Sequence, residues 1–305
     1  MNDAKIDIYA AIESCIDVKA STYAKNKQRG GSSGKKGSRY EDFYFAYKVA
    51  LIASEYIDKD CVNWPFICQQ IKGFVDDMQV KYEGETQYFQ LKNASNVSWN
   101  AGGHSIETDF HYQYVLSTFL GEPKPTTTLV VSNVLEQHKL AKEVPNKIKK
   151  HSDVLHFPYC GDSLNRLVIE NNELQEALKP LSRALNPSLD ELCGVFGILI
   201  LSGMSFPEGM KIDDLIKNTT IYHPSLLRPF YIANTELLLS DGFKRVVDGI
   251  QGLTYSVAKG FFSWNALGTS GILGFDCKDS RFIDFQDHVE RQQPTTFDDF
   301  EGLLP

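Results

Sequence analysis

The chain has 305 residues, 42% of them hydrophobic and 23% charged, with a net charge of −8. Single cores usually stop growing near about 250 residues, so this is expected to be an ordinary globular protein of more than one domain. The acidic balance excludes a protein that coats nucleic acid over its whole surface, because such binding rests on Lys and Arg neutralising phosphates. No apolar run reaches the ~18 to 20 residues of a membrane helix, and the N-terminus lacks a secretory signal's charged start and apolar core. A cytoplasmic chain without membrane contact is therefore expected. Cysteines 15, 61, 68, 160, 193 and 277 form no CxxC pair and complete no zinc site, and they are read as reduced thiols.

Residues 1–17 read as a short helix with Ile8, Ile12, Cys15 and Ile16 as its apolar stripe. From Val18 to Tyr40 there is no acid, while Lys19, Lys25, Lys27, Arg29, Lys35, Lys36 and Arg39 are all cationic. Interleaved with Gly30, Gly31, Gly34 and Gly37, the segment reads as a flexible basic loop. It is either a solvated linker or an arm that grips phosphate, with Lys35, Lys36 and Arg39 nearest the next helix. It is not a nucleotide-binding P-loop, since Gly34-Lys35-Lys36 lacks the required spacing and no apolar strand precedes it. Tyr40 to Ser54 reads as a largely buried helix. Glu41 in its first turn is either a metal-site carboxylate or the back-bonding partner of Ser38 in a capping box.

The stretch Phe74 to Asn93 reads as a β-hairpin, with two Val-, Tyr- and Phe-rich runs flanking Glu83-Gly84. Tyr88, Gln90 and Lys92 share one face of the second strand, and Phe89 and Leu91 the other. A two-residue turn puts Asp77 opposite Gln90 and leaves Asp76, Met78, Val80 and Tyr82 on the apolar face. A three-residue loop puts Asp76 beside Lys92 but mixes Met78 and Val80 with the polar groups. A one-residue slip flips every side chain, so the cleaner segregation favours Asp77, with Asp76 as the alternate. The polar, glycine-rich segment 93–105 leaves the Lys92 end. Asn93 and Asn96 are placed to touch a ligand there, Trp99 to touch it or be buried, and His104 to act as a base or as a plain surface histidine.

Helices are then expected over 107–120 and 134–150, with strands over 126–132 and 153–159. Beyond Asp162 the pattern turns helical, over 165–184, 187–202, 224–240 and 243–264, and carries no catalytic constellation. The expected organisation is an N-terminal helix and loop over 1–37, a catalytic domain over 38–161 and a mainly helical domain for self-association or partner control over 162–283. The acidic tail over 284–305 interleaves acids with Phe297, Phe300, Leu303 and Leu304. It is expected either to fray or to dock as a short helix on a partner.

An aspartate followed on the next strand by Gln90-Leu91-Lys92 resembles the PD-(D/E)xK nuclease motif, with Gln90 in place of the usual glutamate. The order of glycine-rich loop, helix with a first-turn acid, Asp-Asp strand, Gln-x-Lys strand, Trp99 and helix is similar to a narrower group. These are the double-strand DNA nuclease domains of bacterial anti-phage effectors, of the cyclic-oligonucleotide-activated (CBASS-type) and Lamassu-like ABC three-component kinds. The resemblance spans roughly residues 30–160. It implies an α/β fold with a restriction-endonuclease-like αβββαβ core and a Mg²⁺ or Mn²⁺ ion held by Glu41, Asp77 and Gln90. Lys92 would act on water or phosphate, and Lys35, Lys36, Arg39, Asn93 and Asn96 would meet the DNA. Phosphodiester hydrolysis needs such a cation to activate water and absorb charge, and Mg²⁺ takes oxygen ligands of this kind. The glutamine removes one ligand charge, which makes a further carboxylate desirable. The resemblance also implies antiviral defence, a homo-oligomer restrained until it is switched on, and an SMC-like ATPase partner. The rival expectation is a non-catalytic DNA-binding or assembly subunit that retains the fold.

Overall fold

The computed structural model describes residues 7–33, 39–59, 63–102, 104–159, 161, 163–206, 208–223, 226–228 and 238–305. The chain opens with two packed helices, α1 (Ile8–Cys15) and α2 (Val18–Ser33). The Asp7 carboxylate caps α1 by accepting from the Tyr9 and Ala10 N–H groups, and Asp17 accepts from Ala20 N–H at 2.7 Å. The basic stretch expected as a loop is therefore helical up to Ser33. Its buried stripe is Ala20, Ser21 and Ala24 rather than large apolar residues, so the usual period is faint, and its glycines begin only at Gly30. Ala20 and Ala24 join Ala11, Ile12, Phe74 and Leu116 in a small core. Lys35, Lys36 and Ser38 lie outside the described residues.

Six strands form one mixed sheet in the order β5-β4-β3-β2-β1-β6: β1 (Phe66–Gln69), β2 (Met78–Lys81), β3 (Thr86–Lys92), β4 (Pro125–Val131), β5 (Ser152–His156) and β6 (Met210–Lys211). β6, β1, β2 and β3 are antiparallel neighbours, while β4 runs parallel to β3 and β5 parallel to β4. Parallel neighbours need a crossover, which α4 (Ile106–Phe119) and α5 (Val134–Lys142) supply. α5 stops well short of the expected Lys150. With α3 (Arg39–Tyr56) in front, the chain order is α3-β1-β2-β3-α4-β4.

Both faces of the sheet are covered, so the strands are apolar on both sides. Met78, Val80, Phe89 and Leu91 face α3 and a group of later helices: α6 (Leu164–Glu170), α7 (Asn172–Leu178), α8 (Leu189–Ser205) and α9 (Ile212–Tyr222). Val75, Tyr88, Leu129, Val131 and Val154 face α4 and α5, with Trp99, Phe110 and Leu140. The hairpin face expected to be polar is thus a second core along most of its length. Helices beyond residue 162 are not a separate unit: Leu167, Leu178, Phe196 and Leu215 share one core with the sheet. The expected helix over 165–184 is two, broken at Asn171, whose side chain accepts from Leu174 N–H to start α7. The one over 187–202 is α8, begun by a Ser188–Glu191 capping box. Most of 224–240 lies outside the described residues.

A second body begins at Leu239. It comprises α10 (Asp241–Asp248), a three-stranded antiparallel sheet of β7 (Leu253–Ala258), β8 (Phe261–Ala266) and β9 (Thr269–Ile272), then α11 (Ser280–Gln292) and α12 (Phe297–Glu301). It replaces both the helix expected over 243–264 and the acidic tail. Phe243, Phe262, Phe282, Phe285 and Phe300 form its core, so the tail's aromatic residues serve this chain's own packing. Lys259-Gly260 and Leu267-Gly268 are the two-residue hairpin loops, all four with positive φ (51°, 85°, 52° and 86°). Only glycine takes this conformation without strain, and Lys and Leu in the first positions hide the turn from sequence reading. Among the described residues no helix is long and apolar enough to cross a membrane.

Candidate functional site

The β2–β3 register pairs Met78 with Phe89 and Lys81 with Thr86, and Tyr82 N–H closes on Glu85 O at 2.8 Å around Glu83-Gly84. This is the two-residue turn, and extending it by one step sets Asp77 against Gln90. There β2 has left the ladder, and the Asp77 carboxylate takes its place. Asp77 Oδ2 accepts from Leu91 N–H at 2.6 Å and from Gln90 Nε2. Asp76 and Asp77 end the β1–β2 connection, which is closed by Gln70 N–H to Asp77 O at 3.1 Å and Ile71 N–H to Asp76 O at 2.9 Å. Gln113 of α4 holds the same connection from the side, its Oε1 accepting from Phe74 N–H at 2.9 Å and Val75 N–H at 3.2 Å. Gly73 makes this approach possible, since a Cβ there would stand 2.5 Å from Gln113 Oε1.

Two further groups enter the site from helices. Asp109, in the first turn of α4, is only 7% exposed. Lys27 reaches in from α2, with its Nζ 3.1 Å from Asp76 Oδ1, 3.1 Å from Asp109 Oδ2, 3.4 Å from Gln90 Oε1 and 2.5 Å from the Phe74 carbonyl oxygen. Tyr23 OH donates to Asp109 Oδ2 at 3.1 Å, and the His104 ring stacks on Tyr23 at 3.4 Å. His104 is therefore a surface stacking partner. Sequence reading misses Asp109 and Lys27, the first because an acid near a helix start is commonplace, the second because its segment reads as a loop.

Burial raises the Asp77 pKa, nearby Asp76 adds to the rise, and Lys92 and the Leu91 N–H partly oppose it. Burial likewise raises Asp109 against the pull of Lys27 and Tyr23. Burial alone would lower Lys27, but Asp76 and Asp109 outweigh it and hold the ammonium charged.

Lys92 ends β3, partly exposed and close enough to act on Asp77 through its charge, so its amine does not point into the core. Glu41 is partly buried in the first turn of α3, where it has interactions of its own. Beside it Asp42 is hydrogen-bonded by Gln69, and Gln69 pairs with Met78, so that turn reaches the Asp77 end of the sheet. The acids of the site are Asp77, bonded by Gln90, and Asp76 and Asp109, both paired with Lys27. Arg39, Asn93 and Asn96 are exposed, and Asn96 N–H bonds Glu136 at 3.3 Å. Trp99 is a core residue, donating from Nε1 to Leu140 O at 3.0 Å.

The donors are all oxygen, the chemistry that suits a hard cation such as Mg²⁺. Among the described residues, however, no three His, Cys, Asp or Glu side chains stand together as a group that could hold a metal ion. A cleft of about 440 Å³, lined by Lys48, Phe89, Thr128, His151 and Asp153, opens elsewhere and contains none of these acids. No disulfide joins Cys15, Cys68, Cys193 or Cys277. No protein-family model, curated protein or solved structure matches this chain.

Proposed function

We propose that the chain is a metal-dependent endonuclease acting on double-stranded DNA, an effector of anti-phage defence held inactive until assembly or a partner releases it. The observation that carries this reading is the meeting of Asp77, Gln90 and Lys92 at one sheet end, beside Asp76 and Asp109. The order α3-β1-β2-β3-α4-β4, with β4 parallel to β3, supports it as the order of a restriction-endonuclease-like core. A divalent cation at these oxygens would activate water and offset charge on the scissile phosphate. Asp77 and the Gln90 amide oxygen are its proposed ligands, with Glu41 approaching from α3. Lys92 is partly exposed and beside them, placed to orient water or balance the developing negative charge. Arg39, Asn93 and Asn96 are exposed and are the proposed DNA contacts within the described residues. A homo-oligomer and an SMC-like ATPase partner remain part of the proposal.

Once assembly or a partner has released it, the protein is expected to linearise plasmid in Mg²⁺ or Mn²⁺, with Lys92→Ala slowed about 100-fold or more. Equal cleavage by the variant removes Lys92 from the chemistry. The Lys27 ammonium amid the acids favours a second reading, a non-catalytic DNA-binding or assembly subunit. Absence of cleavage in every assembly state, partner included, selects it.

A further inference from the structure

The oxygens around Lys27 outnumber what an ammonium uses. A lysine has three N–H donors, yet four oxygens stand within 3.4 Å of this Nζ: Asp76 Oδ1, Asp109 Oδ2, Gln90 Oε1 and the Phe74 carbonyl. Among the described residues, Asp109 Oδ1, on the same buried carboxyl, has no hydrogen-bond partner. An orphan carboxylate oxygen in a buried place is unfavourable unless something else uses it. An excess of oxygens suits a cation that takes about six ligands better than one that offers three protons. Nor does the α1–α2 hairpin need Lys27 to dock, because Ala11, Ile12, Ala20 and Ala24 already bury against Phe74 and Leu116. A buried ion pair adds little net stability to such a contact.

We infer that Asp109 is the further carboxylate of the cation site, compensating for Gln90, and that Lys27 is a built-in competitor which fills the site in the resting chain. The α1–α2 hairpin is then an autoinhibitory latch: swinging it away withdraws one positive charge and leaves the oxygens to a divalent ion. The inference rests on the nuclease reading for its biological sense, but metal binding tests it without DNA.

Mn²⁺ binding to the full chain, followed by the electron paramagnetic resonance signal of the unbound ion, compares the native protein with Lys27→Met and Lys27→Met/Asp109→Asn. Lys27→Met is expected to bind about tenfold tighter or more, and Asp109→Asn to reverse the gain. A folded Lys27→Met with unchanged affinity overturns the inference, as does a gain that survives Asp109→Asn. Should Lys27→Met fail to fold, amide exchange of the native chain decides. Millimolar Mn²⁺ is expected to speed exchange in α1 and α2, and unchanged exchange there overturns the latch. Tight Mn²⁺ binding through Asp109 with no cleavage in any assembly keeps this inference and sinks the nuclease. Plasmid cleavage by a chain whose metal affinity ignores Lys27 does the reverse.

Discussion

Asp77 accepts two hydrogen bonds yet sits where burial and Asp76 disfavour its charge. A carboxyl whose folded pKa exceeds its unfolded 3.8 binds more protons when folded. Its stabilising contribution is therefore present below that unfolded value and lost as pH rises through the folded one. Asp77→Asn removes the loss while keeping an oxygen for Leu91 N–H. As pH rises above the unfolded value of 3.8, the variant is expected to gain stability relative to the native chain in urea denaturation. The same change should slow cleavage about 100-fold or more, since the proposed cation loses a charged ligand. A stability difference that shrinks as pH rises would contradict the assigned direction. The arrangement fits a site that accepts unfavourable local electrostatics in return for poised carboxylates.

The connection over residues 70–77 is the element that aims the acids, and it depends on one amide. Gln113→Ala leaves the Phe74 and Val75 N–H groups buried without acceptors, at about 1–3 kcal/mol each. Thermal or urea unfolding is expected to register that loss. Gly73→Ala is expected to act through the same contact by displacing the Gln113 carbonyl, with a loss of about 1–3 kcal/mol. Of these features only the hairpin was legible in sequence. Its register could be read because a slip would have turned Met78, Val80, Phe89 and Leu91 out of one core. α2 was not legible, because a helix that buries alanines and a serine carries no apolar period and its lysines resemble those of a solvated loop. Asp109 reads as part of a helix, but that it meets Lys27 depends on how α4 crosses the sheet.

At the scale of the molecule, two cations clasp the second body to the first. Lys259, at the β7–β8 turn, donates to the carbonyls of Lys179, Ser182 and Ala184 at 2.6, 3.0 and 2.8 Å. Arg183 donates to Ile272 O at 2.8 Å and to Leu273 O, and its guanidinium lies 4.8 Å from the centre of the Phe261 ring. Lys259→Ala is expected to weaken the junction by about 1.5–3 kcal/mol, the range for hydrogen bonds from a charged group. In urea the second body should then unfold at lower concentration than the first, and a single unshifted transition would show that the clasp is dispensable. Sequence reading expected the boundary at residue 162, where the pattern turns helical. A change of element type is no boundary when the helices bury their apolar stripes on the same sheet.

By itself the sequence determined the order of α3, the β2–β3 hairpin, α4, β4, α5 and β5, though not β1, together with the Glu83-Gly84 turn and the pairing of Asp77 with Gln90, because those follow from local period and turn chemistry. Tertiary structure decided the rest: that Lys27 and Asp109 meet at Gln90, that α6 to α9 belong to the sheet's core, and that the acidic end packs into a second body. Each of these turns on contacts between residues far apart in the chain, where the energy lies in which faces are buried together and no local pattern records the partner.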